Sequence, residues 1–414
     1  MNKAYKGIYG IREVESTAAE LHKATEEFSR FNQKYNMIWQ PEWNEKYAKS
    51  SVNQMLVNRT KRVQAGEEGY SLLDWAFLGG AEGTFRGSDF PINVLNQRGN
   101  SWRPLGLGLP EGIDRWKAEN NYAASIVKRV ALEFGADVVG ICRLDRRWVY
   151  SKHYDPETKL NHPIVFSDEN PEYADIKSPR VLENKVAVIP ESIQYSVVIL
   201  QEMDYDGIRT APTSTQMGTT HLLYSKIAYT AMNTAEFIRS LGYNAIPSAN
   251  CTALNVPLAI DAGLGELGRH AKLINPYLGT RCRISKVLTD LPLTVDRPIK
   301  FGIERFCADC KACARACPVK AITFGDMEYE QAGDFSHRGL LQYPLKHDVC
   351  RAFWAFKGTN CGICLAKCPY NRPTGTKQRF LTSLAAITPI FNRWLARKVP
   401  PDLKPSEFWH KMAN

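Results

Sequence analysis

Apolar positions along this chain follow two regimes, one regular and one not. Residues 122–134 carry them at three- and four-residue spacing, which predicts a helix with one buried face. Residues 136–144 (ADVVGICRL) and 196–203 (SVVILQEM) are unbroken apolar runs of strand length, with a shorter one at 185–189. A helix is expected over 221–241, stopped by Gly242 in the C-cap position. A strand at 243–246, an apolar helix at 256–262 and a last strand at 283–288 follow. Strands alternating with helices predict an α/β core.

Residues 1–120 lack that order. One helical stretch, 15–31, precedes a run of aromatics: Trp39, Trp43, Trp75, Phe77, Phe85, Phe90 and Trp102. Gly79, Gly80, Gly83, Gly106 and Gly108 punctuate it as loops. Such a segment is expected to make little helix or sheet of its own and to wrap another body, its aromatics serving mainly as packing. Residues 296–300 read as a linker. Loop chemistry resumes at Asn371, Arg372 and Pro373, and the tail after Thr382 is expected to be helical, then extended through Pro400, Pro401 and Pro405. The chain thus divides into 1–120, 121–298, 299–375 and 376–414.

Composition adds exclusions. With 414 residues, 44% hydrophobic and 23% charged, the chain is ordinary for a globular protein. No apolar run reaches the ~18 residues that span a bilayer; the nearest, 381–391, is broken by Thr388 and Pro389. The net charge of +10 comes without an arginine-rich tract or a nucleic-acid motif. It is therefore expected to be a solvated basic surface or a docking face for an anionic membrane or electron donor. No export signal is legible at Met1, and the Arg146-Arg147 pair lies far from it. A cytoplasmic protein and a processed form are both compatible with that.

Cysteine spacing changes the picture. Eight of eleven cysteines fall between Cys307 and Cys368, as Cys307-x2-Cys310-x2-Cys313-x3-Cys317-Pro318, then Cys350, then Cys361-x2-Cys364-x3-Cys368-Pro369. This doubled run has the spacing of bacterial ferredoxins, in which three thiolates hold one [4Fe–4S] cluster and the fourth serves its neighbour. Cys307, Cys310, Cys313 and Cys368 are then expected to hold one cluster. Cys317, Cys350, Cys361 and Cys364 hold the other. Ten residues separate Cys350 from Cys361 where a plain ferredoxin has two. Zinc sites favour paired C-x2-C units without the C-x3-C-P repeats, and a disulfide framework belongs to small secreted domains.

Outside that segment the densest stretch runs from Asn250-Cys251 to Arg269. Gly263, Gly265 and Gly268 match G-x-G-x-x-G literally, but they follow an apolar helix rather than a strand, so the dinucleotide reading lacks its context. The glycines still allow close backbone approach to a large cofactor. Tyr224, Asn250 and Arg283 flank this loop. A phenol among Ile227, Ala228 and Ala231 is ordinarily a core residue with its hydroxyl satisfied, so a catalytic Tyr224 competes with a structural one. Cys142, Cys251 and Cys282 read as small buried hydrophobes, with Cys251 adjacent to Asn250. The stretch Asp334-Phe-Ser-His337-Arg-Gly339 lacks the D-x-H-x-x-G spacing by which many cobalamin proteins ligate cobalt through histidine.

The block from Tyr224 through Tyr243-Asn-Ala-Ile-Pro247, Asn250, Ala262-Gly-Leu-Gly-Glu-Leu-Gly-Arg269 and Arg283, followed by the cysteine segment, resembles the corrinoid-dependent respiratory reductive dehalogenases over roughly residues 120–372. The resemblance implies a nitroreductase-like α/β core that binds a base-off corrinoid, with an appended ferredoxin-like domain whose two clusters feed electrons to cobalt. It implies Tyr224 as proton donor, Arg283 beside it, and Asn250 holding substrate or departing halide. Trp354, with Trp75 and Phe77, is expected to line the substrate pocket. Asn250, Cys251, Gly263, Gly265, Gly268 and Arg269 are expected at the corrinoid. The implied reaction removes halide from a small chlorinated hydrocarbon as the last step of organohalide respiration. Its implied partners are a respiratory electron donor, a small membrane-anchor subunit and a second copy of the chain, on the outer face of the cytoplasmic membrane. That family opens with a twin-arginine signal, which this sequence lacks. A guanidinium beside a phenol favours its ionised form, which suits the donor role. Two rivals are an epoxyqueuosine reductase acting on tRNA and a ferredoxin-type electron carrier. The tyrosine–arginine pair counts against the first, and the long non-cluster portion against the second.

Overall fold

A computed structural model of the chain describes residues 2–86, 102, 104–106, 108–156, 158–329, 333, 335 and 337–413. Phe90, Asp334 and the side chain of Phe85 lie outside them. The two longest helices of the N-terminal portion, α1 (Val52–Gln64) and α2 (Leu72–Arg86), precede a core with helices α3 (Asn120–Glu133), α4 (Ser214–Ser240) and α5 (Asn255–Asp261). The core's central sheet comprises β1 (Val138–Arg143), β2 (Tyr195–Glu202), β3 (Ala245–Ser248) and β4 (Cys282–Thr289). Their order is β1-β2-β4-β3, with every pairing antiparallel.

The strands are apolar on both faces because both faces are covered. Val139, Ile141, Val197, Ile199 and Val287 pack against Ala123, Val127 and Ala131 of α3 and against Ala231, Ala235 and Ile238 of α4. On the other face Val138, Val198, Leu200, Ile284 and Leu288 meet Leu258 and Ala259 of α5, together with Phe301 and Phe306 from the cysteine segment. Each such side chain contributes about 1.5–3 kcal/mol of burial. Gly140 has a specific reason: a Cβ there would collide with the Ala262 carbonyl where α5 ends over the strand. α4 begins on Thr213, whose side chain accepts from Gln216 N–H, and gives way after Leu241 to Gly242 at φ 89°.

The cysteine segment contributes α6 (Ile303–Cys310), α7 (Ala312–Ala316), α8 (His347–Lys357) and α9 (Ile363–Ala366). The tail adds α10 (Thr376–Ile387) and α11 (Pro405–Ala413). No helix among the described residues is long and apolar enough to cross a membrane.

Three expectations are corrected. The helix expected over 15–31 is only Ala18–Leu21, because the backbone then turns to pair with another segment: Thr25 N–H donates to Gly339 O and Leu341 N–H to His22 O. Residues 1–120 do form helices, and the glycines of α2 do not break it because it packs along α4. Pro405, expected in extended chain, opens α11, where its missing N–H costs nothing. α11 packs on α2: Trp409 Nε1 donates to Asp74 Oδ1 at 2.8 Å.

Candidate active site and cluster centres

Tyr224 and Arg283 are brought together by the packing of α4 on β4. Side chains alternate along a strand, so Arg283 shares with Val287 the face that α4 covers. Arg283 Nη1 donates to the Tyr224 hydroxyl at 3.2 Å, and its guanidinium carbon lies 4.8 Å from the Tyr224 ring centre. Tyr224 packs on Ile227, Ala228 and Ala249, so the apolar surroundings expected for a core tyrosine are present as well. On its other side the His221 ring stands edge-on at 5.8 Å, and His221 Nδ1 lies 2.8 Å from Glu82 Oε1. Ser225 Oγ donates to Ala81 O, tying the same stretch of α2 to α4. Sequence reading missed Glu82 and His221. Glu82 sits in a glycine-rich stretch read as loop, and no spacing links it to α4.

Asn250 is exposed in the loop after β3, and a second overlooked group positions it. Asn255 Nδ2 donates to Asn250 Oδ1 at 2.8 Å and to Ile284 O at 2.9 Å. Lys286, fully buried on the other face of β4, donates to Asn255 Oδ1 (2.7 Å), Ala249 O (2.9 Å) and Cys251 O (3.2 Å). Burial pulls the Lys286 ammonium down to about 7, while three acceptors match its three donors. The Cys251 thiol is buried within its own loop, 3.6 Å from Ser248 Oγ.

Trp354, one turn after Cys350 on α8, packs against Met55, Leu78 and Met217, a wall drawn from α1, α2 and α4. The other two expected pocket residues are placed elsewhere. Trp75 lies on the exposed side of α2. Phe77 is spent on the tail: its ring meets Trp409 at 5.5 Å and Phe408 at 6.2 Å and leaves no room for a side chain at Gly218.

The glycine-rich loop also departs from expectation. The space beside each glycine is filled by this chain itself: a Cβ on Gly263 would strike Arg297 O, one on Gly265 would strike Ile274 O, and one on Gly268 would crowd His270 and Ile274. These residues lead into a tight hairpin, Glu266–Leu267 against Leu273–Ile274. Arg269, at its tip, turns away from the tyrosine–arginine pair and donates to Cys307 O, Thr323 O and Gly325 O at 2.6–3.0 Å.

The eight cysteines of the segment gather about two centres. Cys307, Cys310, Cys313 and Cys368 line one void together with Arg269 and His270. Cys317, Cys350, Cys361 and Cys364 lie within electrostatic reach of one another. Cys313 also feels Cys364, so the two centres adjoin. None of the eleven cysteines is in a disulfide. Burial pushes the Cys307 and Cys350 thiols up to about 12, neighbouring sulfurs adding to the effect. Thiolate ligands at such sites need a bound cationic centre to ionise them.

With this geometry described, comparison with known proteins defines the class. Residues 44–293 match the family of the reductive dehalogenase subunit, and residues 306–371 match a 4Fe-4S double cluster binding domain. The chain belongs to the reductive dehalogenase family. It is 35% identical over 283 residues to the tetrachloroethene reductive dehalogenase of Sulfurospirillum multivorans, covering 66% of this chain and 54% of that protein. The chain therefore spans about half the length of the curated relatives it matches. A solved reductive dehalogenase, one whose dehalogenation is B12-dependent, shares the fold at a TM-score of 0.65 and 23% identity, covering 94% of this chain and 48% of that one. An epoxyqueuosine reductase from Leadbetterella byssophila is 36% identical over 126 residues, or 28% of this chain and 38% of that protein.

Proposed function

We propose that the chain is the catalytic unit of a corrinoid-dependent reductive dehalogenase acting on a small chlorinated alkane or alkene. The reaction is R–Cl + 2 e⁻ + H⁺ → R–H + Cl⁻. The observation that carries this reading is the 3.2 Å contact between Arg283 and Tyr224, an acid beside a fixed positive charge within the family-matched stretch.

Two four-cysteine sets fit two [4Fe–4S] clusters, Cys307, Cys310, Cys313 and Cys368 holding one, and Cys317, Cys350, Cys361 and Cys364 the other. Buried donors without a partner at the first void support that fit. Arg283 Nε and Ser285 Oγ are likewise buried without a partner on the α4 side of β4, polar groups that a bound corrinoid would satisfy. When bound, the corrinoid and the clusters supply the two electrons that break the carbon–halogen bond.

The chain's own groups do the rest. Arg283 donates to the Tyr224 oxygen, so the tyrosine's hydrogen is not consumed by that contact and is delivered to carbon. The guanidinium then stabilises the phenolate left behind. Asn250, held by Asn255, together with Arg283 stabilises the departing halide. The substrate class, a small uncharged chlorinated hydrocarbon, follows the tetrachloroethene enzymes among its relatives. The reaction ends a respiratory chain on the outer face of the cytoplasmic membrane, with a small anchor subunit as partner and a homodimer as the assembled form.

Tyr224→Phe tests the reading, since it keeps the ring and removes only the acidic hydrogen. Cobalt and iron per chain stay at wild-type levels, while tetrachloroethene turnover per cobalt falls by roughly 10²-fold, the scale of general-acid catalysis. Near-wild-type turnover rules out the donor role. Anaerobically purified protein without cobalt rules out the corrinoid.

A further inference from the structure

The hairpin tip that departs from its expected role carries two consecutive buried donors. Arg269 is 1% exposed and His270 2% exposed. Three backbone carbonyls occupy Arg269 Nε and Nη1, and the guanidinium is clamped over the Tyr343 ring at 4.0 Å. Its Nη2 is buried with no partner. Lys272 N–H donates to His270 Nδ1 at 3.2 Å. A ring nitrogen that accepts holds no proton, so the imidazole hydrogen sits on Nε2. That Nε2 is also buried with no partner. Both residues line the void bounded by Cys307, Cys310, Cys313 and Cys368.

We propose that Arg269 Nη2 and His270 Nε2 donate hydrogen bonds to the sulfur atoms of the cluster held by these four cysteines, and so raise its reduction potential. The inference rests on the ligand assignment made above. Hydrogen bonds to sulfur and nearby charge are main controls on iron–sulfur potentials. A reduced cluster carries one more negative charge, so a permanently cationic guanidinium and an N–H dipole stabilise it over the oxidised form. The second cluster has buried groups of its own, Arg351 next to Cys350 and Trp354 Nε1 reaching the Cys350 sulfur, so the inference concerns the first cluster alone. A further cation near the second cluster, Lys272, is exposed, so solvent screens it.

Anaerobic potentiometry followed by electron paramagnetic resonance tests this on the intact holoprotein. In His270→Phe and Arg269→Met, one cluster signal shifts to lower potential and the other does not move. The larger shift belongs to Arg269→Met, which loses charge as well as the donor. Iron stays at about eight per chain. Should Arg269→Met lose a cluster, because three carbonyls lose their donor, His270→Phe decides alone. An unchanged potential in His270→Phe with full iron overturns the proposal, as does an equal shift of both signals. Wild-type protein holding only about four irons per chain means instead that the ligand assignment has failed.

Discussion

Lys286 carries more of the active-site geometry than its position inside an apolar strand suggests. It holds Ala249, Cys251 and Asn255 at once, and Asn255 in turn holds Asn250. Lys286→Met preserves the volume but leaves Ala249 O and Asn255 Oδ1 without their donor, while Cys251 O keeps Ser248 Oγ, at a cost of about 2–3 kcal/mol. Urea unfolding of the variant is expected to show that loss, and its turnover per cobalt to fall with it as Asn250 is released. Unchanged stability would mean that the loop has other support. Arg283→Lys tests a different property of the same strand. It keeps the charge but gives up the planar fork that reaches the Tyr224 hydroxyl, so turnover is expected to fall at least about tenfold with metal content intact. Lys286 was not legible beforehand because one lysine in a buried run signals nothing about its acceptors. Tyr224 and Arg283 stood out through family resemblance; spacing alone left the tyrosine as a core residue.

Elements differ in how openly the sequence declares them. β1, β2 and β4 were legible because two-sided burial demands unbroken apolar runs, and α3 because only one face is buried. α1 and α2 were not. α1 buries little beyond Met55 and Arg59 while exposing Leu56 and Val57, so its apolar positions carry no clean period. α2 contains Gly79 and Gly80, at which an added Cβ would meet nothing, and only its packing along α4 makes a helix of it. The glycine loop misled for the opposite reason: close approach was the correct inference, but the approaching atoms belong to the hairpin and to Arg297. The cysteine elements yield a direct prediction. Cys350 on α8 stands alone in sequence yet faces Cys364 and Cys317, whereas Cys142 on β1 is a buried apolar position. Cys350→Ala should lose roughly half of the eight irons, and Cys142→Ala should keep nearly all of them. Equal iron loss in both would overturn the ligand assignment.

At the scale of the whole molecule, the N-terminal stretch binds both of its neighbours. Arg12–Glu13 pairs with Ile299–Lys300 at the entry to the cysteine segment, and Asn58 and Arg59 donate to Ala355 O and Gly358 O at its α8 end. Against the core, Asp261 at the end of α5 is one of several attachments: it accepts from Ala18 N–H of the N-terminal stretch at 2.5 Å and from Trp148 Nε1 of the core at 3.2 Å. Burial outweighs those two bonds and raises the Asp261 carboxyl from 3.8 to about 6. The folded protein therefore binds this proton more tightly than the unfolded chain does. By linkage, Asp261 favours folding most at low pH, and that contribution is lost as pH rises from about 4 through about 6. Two units correspond to about 3 kcal/mol. Asp261→Asn keeps an acceptor for one donor and cannot ionise, so its stability should lack this fall. Denaturant unfolding from pH 4.5 to 7 reads the difference, because acid damage to the clusters affects both proteins alike. The wild type should lose stability relative to the variant as pH rises, with the gap closed or reversed by pH 7. A pH dependence in Asp261→Asn that parallels the wild type would show that this carboxylate is not the group that titrates at the seam.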